Sequence, residues 1–158
     1  MEIKIRGIKK QEYPFLEDML YQAIFIPDGA TKFDKKIIFT LELYPYIKDF
    51  GQKKDIGLVA EMDGQLVGAI WTRLFKGYGF IDEATPELSM AIDTDFRGKR
   101  IGSKLLDAMF ICLQKKGYKQ VSLSVDKRNF AYKLYQNCGF QDFEVKENSV
   151  LMVKSFCF

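Results

Sequence analysis

The chain of 158 residues contains no histidine at all. This absence removes the Ser–His and Cys–His nucleophile systems, the usual neutral-pH base and most mixed zinc sites, so no metal site is expected. Acid–base work falls instead to carboxylates, tyrosine, lysine or water. Cysteine is scarce: Cys112, Cys138 and Cys157 form an odd set whose spacings suit neither a zinc pair nor a disulfide framework. No apolar run approaches the roughly 18 residues needed to span a bilayer. Met1-Glu2-Ile3-Lys4 does not begin a signal peptide. The expectation is a cytoplasmic protein with no membrane partner. A large charge excess is missing too, because 24 Lys and Arg against 21 Asp and Glu leave only +3, and partners must be recognised locally. The composition, 47% apolar and 28% charged, is that of one globular domain over residues 1–158.

The patterning suggests alternating strands and helices. Ile3 and Ile5 alternate with Lys4 and Arg6 as in a half-buried strand. From Gln11 to Phe25, with Pro14 near the start, an apolar stripe of Phe15, Met19, Leu20, Ala23 and Ile24 predicts an amphipathic helix. Residues 26–54 read as an irregular, aromatic cap with a helical segment near Lys35–Leu43. Ile56–Glu61 and Leu66–Trp71 flank Met62-Asp63-Gly64-Gln65, a strong hairpin signal. A strand over Glu87–Asp93, a helix over Ile101–Lys116, a strand over Val121–Val125, a helix capped by Asn129 and ending at Gly139, and two closing strands, Phe140–Val145 and Val150–Phe156, complete the reading.

Two stretches carry candidate chemistry. Arg97-Gly98-Lys99-Arg100-Ile101-Gly102-Ser103 lies between a strand and a helix, where unpaired first-turn amides, the helix dipole and three cations favour an anion. Taken alone, the stretch reads more readily as an ordinary basic strand-to-helix turn. Asn129-Phe130-Ala131-Tyr132-Lys133-Leu134-Tyr135 through Gly139-Phe140 follows the next strand. On local grounds Asn129 is a helix cap and Tyr135 a core residue.

In order and separation, the two stretches resemble the paired motifs of the GCN5-related N-acetyltransferases, Gln/Arg-x-x-Gly-x-Gly/Ala and Asn-x-x-Ala-x-x-x-Tyr…Gly-Phe. The specific resemblance covers about Ile56–Phe143. It implies an α/β fold with a mixed, mostly antiparallel central sheet flanked by helices on both faces. It also implies acetyl-CoA as cosubstrate, with residues 87–140 as the coenzyme-binding core. On this resemblance the backbone of Arg97, Gly98, Lys99, Arg100, Ile101, Gly102 and Ser103 would hold the pyrophosphate. Ile92, Asp93 and Thr94 would bond the pantetheine arm, Asn129 would contact the coenzyme, and Tyr135 would lie near the sulfur. Arg100 departs from the pattern: it stands where the family has its first glycine, so its side chain must point outward while its N–H still donates.

The implied chemistry suits a protein without histidine, because a thioester is already activated and an amine can attack it directly. Tyr135 would protonate the leaving thiolate, and Glu87 or Glu83 would take the amine proton, although Asp82–Glu87 also reads as a solvated acidic turn. Trp71, Arg73, Tyr44 and Tyr46 are candidates for the acceptor pocket, with core and surface roles open to each. The expected activity is transfer of an acetyl group to a primary amine of a small molecule or peptide. The rivals are a non-catalytic acyl-CoA-binding module and a nucleic-acid-binding protein. The second would use Lys35-Lys36, Lys53-Lys54, Lys99-Arg100 and Lys115-Lys116, and is disfavoured by the near-balanced charge. The apolar end Ser155-Phe156-Cys157-Phe158 suggests a sheet edge for a homodimer.

Overall fold

The computed structural model describes residues 2–156. Seven strands form one sheet in the order β1-β2-β3-β4-β5-β7-β6: β1 Ile3–Gly7, β2 Ile56–Met62, β3 Gln65–Arg73, β4 Glu87–Ile92, β5 Gln120–Asp126, β6 Gln141–Val145 and β7 Ser149–Ser155. Only β4 and β5 run parallel. The β2–β3 hairpin turns where the sequence predicts. Asp63 (φ 51°) and Gly64 (φ 80°) both take positive φ, the backbone a two-residue turn between right-twisted strands needs.

Helices cover both faces, as the resemblance implies. Helix α1 (Phe15–Ala23) packs one face, burying Leu16, Met19 and Leu20 with Trp71, Val59, Ala69 and the cap residues Ile38, Tyr46 and Ile47. Helices α2 (Ile101–Lys115) and α3 (Ala131–Asn137) share the main core, where Leu105, Leu106, Met109 and Leu113 are buried with Ile70, Val121, Leu123 and Met152. No helix among the described residues is long and apolar enough to cross a membrane.

Three expectations change. Helix α1 begins at Phe15, not Gln11, because Pro14 occupies its N-cap, and only a short 3₁₀ turn, Lys10–Glu12, precedes it. The cap helix shrinks to a 3₁₀ turn at Lys35–Phe39, started by Asp34 accepting from the Lys36 amide, and a second at Tyr44–Tyr46. Pro45 offers no donor for a longer helix, and its ring disfavours helical geometry at Tyr44. Finally, β7 is not an edge: it is hydrogen-bonded to β5 on one side and β6 on the other. The edge near the C-terminus is β6, with Phe143 and Val145 exposed, which removes the stated reason for pairing through the last strand. Cys157 and Phe158 lie outside the described residues.

Candidate active site

The sheet opens between its two parallel strands. β4 keeps six register pairs with β3, and β5 keeps seven with β7, but β4 and β5 share one pair, Glu87 with Ser122. The Ser122 amide donates to the Pro86 carbonyl at 3.0 Å, and beyond this point no ladder joins Leu88–Ile92 to β5. The flank of β4 past Glu87 therefore has backbone donors and acceptors to offer a ligand. Gly79 packs at the apex. Ser122 Oγ donates to its carbonyl at 2.6 Å, and a Cβ at residue 79 would stand 2.8 Å from the Leu123 carbonyl carbon.

Past β4, Asp93 caps a short turn by accepting from the Asp95 amide at 3.1 Å, and Arg97 Nε donates weakly to the Ile92 carbonyl at 3.4 Å. Gly98 then takes φ 78° and Arg100 takes φ 62°, ψ 19°, in the left-handed region. A glycine, which the family's motif has at this position, adopts that backbone at no steric cost, whereas here an arginine bears it. No side chain caps α2, so the amides of Ile101, Gly102 and Ser103 are free to bind an anion. Arg97, Lys99 and Arg100 stand exposed around them. Gly102 also sets a helix contact, since a Cβ there would meet Leu134 Cδ2 at 3.0 Å and Met90 Cε at 3.4 Å.

Two contacts tie the end of α1 to both arms of the fork. Thr94 Oγ1 donates to Gln22 Oε1 at 3.0 Å, and the Arg128 guanidinium lies over the Phe25 ring at 5.5 Å. Asn129 is half-buried, and its Oδ1 accepts from the Ala131 amide at 2.9 Å, so it closes a turn one residue before the N-cap of α3, which is Phe130 and not Asn129 as the sequence suggests. Tyr135 is 6% exposed and packs edge-on against Phe140; burial raises its phenol pKa and keeps it protonated at neutral pH.

Glu87 is the notable ionisable group. Only 3% of it is exposed, and burial pushes its pKa up to about 7. Tyr46 donates its phenol hydrogen to Glu87 Oε2 and accepts from the Tyr78 amide at 2.9 Å. The Tyr46 bond and the backbone of Gly77 and Gly79 hold the carboxylate pKa below what burial alone would give, yet Oε1 closes no hydrogen bond of good geometry. A Cβ at residue 77 would lie 2.5 Å from Oε1 and 2.7 Å from the Tyr46 oxygen.

The other sequence candidates are dispersed. Glu83 is exposed on a turn closed by Asp82, and its side chain makes no hydrogen bond or ion pair among the described residues. Trp71, expected in the acceptor pocket, is 1% exposed in the core and donates Nε1–H to the Tyr46 carbonyl at 3.0 Å. Arg73, also a candidate there, is committed to Asp55 at 3.1 Å and to the Pro45 and Lys48 carbonyls at 3.0 and 2.7 Å. The large ring and the paired guanidinium are more stable as braces behind the cap turn than as pocket lining. Tyr44 packs edge-on to Phe39. Gly77, Tyr78 and Gly79 fall in the 76–86 loop, which the sequence marks, with residues 26–46, only as a segment deciding acceptor choice and with no role for any one of the three. Their one legible signal is two glycines around a tyrosine, which marks close backbone approach. Two surface grooves, about 320 and 720 Å³, are lined by no residue of the fork or the 97–103 loop.

A mixed sheet split at its parallel pair, with an uncapped helix N-terminus at the mouth of the split, is the arrangement that the resemblance to the N-acetyltransferases implies. The comparisons agree. An acetyltransferase (GNAT) domain profile matches residues 53–142, more than half the chain, and the chain belongs to that family of acetyltransferases. Among solved structures, the PaiA N-acetyltransferase of Thermoplasma acidophilum in complex with coenzyme A aligns with a TM-score of 0.74 at 19% identity, over 99% of this chain and 100% of its own. YncA, a putative acetyltransferase of Salmonella typhimurium with its cofactor acetyl-CoA, aligns with a TM-score of 0.72 at 17% identity, over 98% and 94%. The ribosomal-protein-S18-alanine N-acetyltransferase of Escherichia coli gives 0.70 at 16% identity, over 98% and 94%. At these identities the likeness is one of fold. No curated protein matches the chain by sequence.

Proposed function

We propose that this acetyltransferase transfers the acetyl group of acetyl-CoA directly to a primary amine of a small molecule or peptide, in the cytoplasm, without a metal. The observation that carries the reading is the position of Glu87, a nearly neutral-pKa carboxylate at the last paired residue before the sheet splits. The residues present fit the coenzyme: free amides at Ile101–Ser103 with Arg97, Lys99 and Arg100 suit a pyrophosphate, and the flank of β4 up to Ile92, unpaired toward β5, suits an amide-bearing arm that runs on past Thr94, whereas the backbone of Asp93 is already taken, its amide by the Val67 carbonyl and its carbonyl by the Phe96 amide. The thioester supplies an acyl group already activated toward amines.

The chain's own residues then do three things. Glu87 accepts a proton from the attacking nitrogen on Oε1, the oxygen left without a partner, and a pKa of about 7 keeps a large ionised fraction at neutral pH. A β4 amide near Ile92 meets the charge developing on the acyl oxygen. Tyr135, protonated at neutral pH, returns a proton to the leaving sulfur, while Asn129 orients the coenzyme from the start of α3. Residues 26–46 of the cap and the 76–86 loop select the acceptor.

The test is an acetyl-CoA-dependent thiol-release assay against polyamines, amino acids, aminoglycosides and peptides. Turnover with at least one amine class, lost below about pH 7 as Glu87 takes its proton, is the expected result. Coenzyme binding without turnover on any amine would replace the reading with that of an acyl-CoA-binding module.

A further inference from the structure

Sequence reading placed Tyr46 in the acceptor pocket, but its contacts give it a different task. Its hydroxyl is held between two partners: it donates to Glu87 Oε2 and accepts from the Tyr78 amide at 2.9 Å. Its own backbone is pinned from the sheet. Trp71 Nε1 donates to the Tyr46 carbonyl, and Arg73 Nη1 donates to the carbonyls on either side of it in the chain, at Pro45 and Lys48. The Tyr46 ring is fixed edge-on by Phe75 at 4.6 Å and stacked on Tyr78 at 6.5 Å. A residue 41 positions away in sequence is thus fastened by three side-chain bonds at its back and two hydroxyl bonds at its front. Rotamer freedom that a tyrosine would otherwise keep is already lost before a substrate arrives.

We infer that Tyr46 is the positioning residue of the candidate base: by engaging Oε2 it fixes the rotamer of Glu87 and leaves Oε1 as the oxygen that accepts the amine proton. The inference rests on the reading of Glu87 as base. Gly77 belongs to the same device, since any side chain there would collide with both Oε1 and the Tyr46 oxygen. The groups facing Glu87 from each packed element are accounted for. From the cap there is Tyr46; from the 76–80 loop, Tyr78 and the backbone of Gly77 and Gly79; from β3, Arg73, its cross-strand neighbour, turned to Asp55; from β5, Ser122, turned to the Gly79 carbonyl. Tyr46 is the one side chain among them that bonds the carboxylate, and as a donor it favours the ionised form.

The test compares Tyr46→Phe with wild type by two readouts: the pH dependence of kcat/KM with a reactive amine, and the titration of Glu87 by carboxyl ¹³C NMR in the enzyme without substrate. Phenylalanine keeps the ring packing and removes the hydroxyl, which is both the donor to Glu87 and the acceptor for the Tyr78 amide. The expected result is an upward move of the acid limb and of the Glu87 titration by about one pH unit, the size of one hydrogen bond to a charged group. The KM for acetyl-CoA should stay within about twofold, since the coenzyme loop is untouched. An acid limb and a Glu87 titration both unmoved in Tyr46→Phe would overturn the positioning role even if the rate fell. Glu87→Gln separates the two layers. If it abolishes the limb while Tyr46→Phe leaves it in place, the base stands and the positioning role falls; if it leaves the limb intact, both fall.

Discussion

Replacing Glu87 by glutamine should stabilise the protein in a way that grows with pH. In the folded chain the carboxylate is 3% exposed, and its pKa rises from 4.5 to about 7. Between those values the folded state binds a proton that the unfolded state has released, so stability is lost as pH rises through the interval. At about 1.4 kcal/mol per pH unit, the interval corresponds to about 3 kcal/mol. Glutamine has no charge to desolvate and keeps an oxygen for the Tyr46 hydroxyl, so its stability carries no such slope. Urea unfolding of both proteins at pH 4, 6 and 8 should show wild type losing about 3 kcal/mol relative to Glu87→Gln across the series, with equal slopes in denaturant. Thermal midpoints should part by about 6–12 °C at pH 8 relative to pH 4 for a chain of this size. A stability difference constant to within about half a kcal/mol over this range would mean that Glu87 ionises like an exposed carboxylate, and the argument from burial would be wrong.

Arg100→Gly should raise stability by about 0.5–1 kcal/mol, the left-handed cost of a non-glycine residue less the extra chain entropy of glycine. Differential scanning calorimetry reads this, and coenzyme A affinity should fall only modestly with the lost cation. Gly102→Trp should abolish coenzyme A binding, because a Cβ at this position already meets Leu134 at 3.0 Å and the amide beside it belongs to the cradle. Gly102→Ala, whose neighbours are flexible side-chain ends, is the folded control, and a titration calorimeter separates the two. Tyr135→Phe should bind acetyl-CoA as wild type does and turn over more slowly by roughly a hundredfold or more, as loss of a positioned proton donor predicts. Unchanged turnover would assign the thiolate proton to solvent.

What could be read in advance was what the chain encodes locally. Asp63-Gly64 between β-rich runs is a hairpin signal complete in four residues, and the stripe of Ile101, Leu105, Met109 and Leu113 defines α2 without reference to any partner. The 97–103 loop was legible as a candidate coenzyme site through its motif, and the structure adds the left-handed backbone at Gly98 and Arg100. The cap resisted because its residues are placed by contacts distant in sequence. No period announces that the Tyr44–Tyr46 turn is held by Trp71 and Arg73, and both residues look from sequence like groups available to a ligand. The join between Glu87 and Tyr46 spans 41 positions, and the glycines that let the 76–80 loop close on it are ordinary turn residues by composition. The single-pair contact of β4 and β5 is a tertiary fact of the same kind.

The central claim, a coenzyme site at the uncapped start of α2 beside a split sheet, is tested most directly by calorimetric titration of the protein with coenzyme A and, in parallel, with pantetheine. The account predicts micromolar binding of coenzyme A and at least about tenfold weaker binding of pantetheine, which lacks the pyrophosphate the free amides and cations would hold. No heat with coenzyme A, or equal affinity for the two, would contradict it.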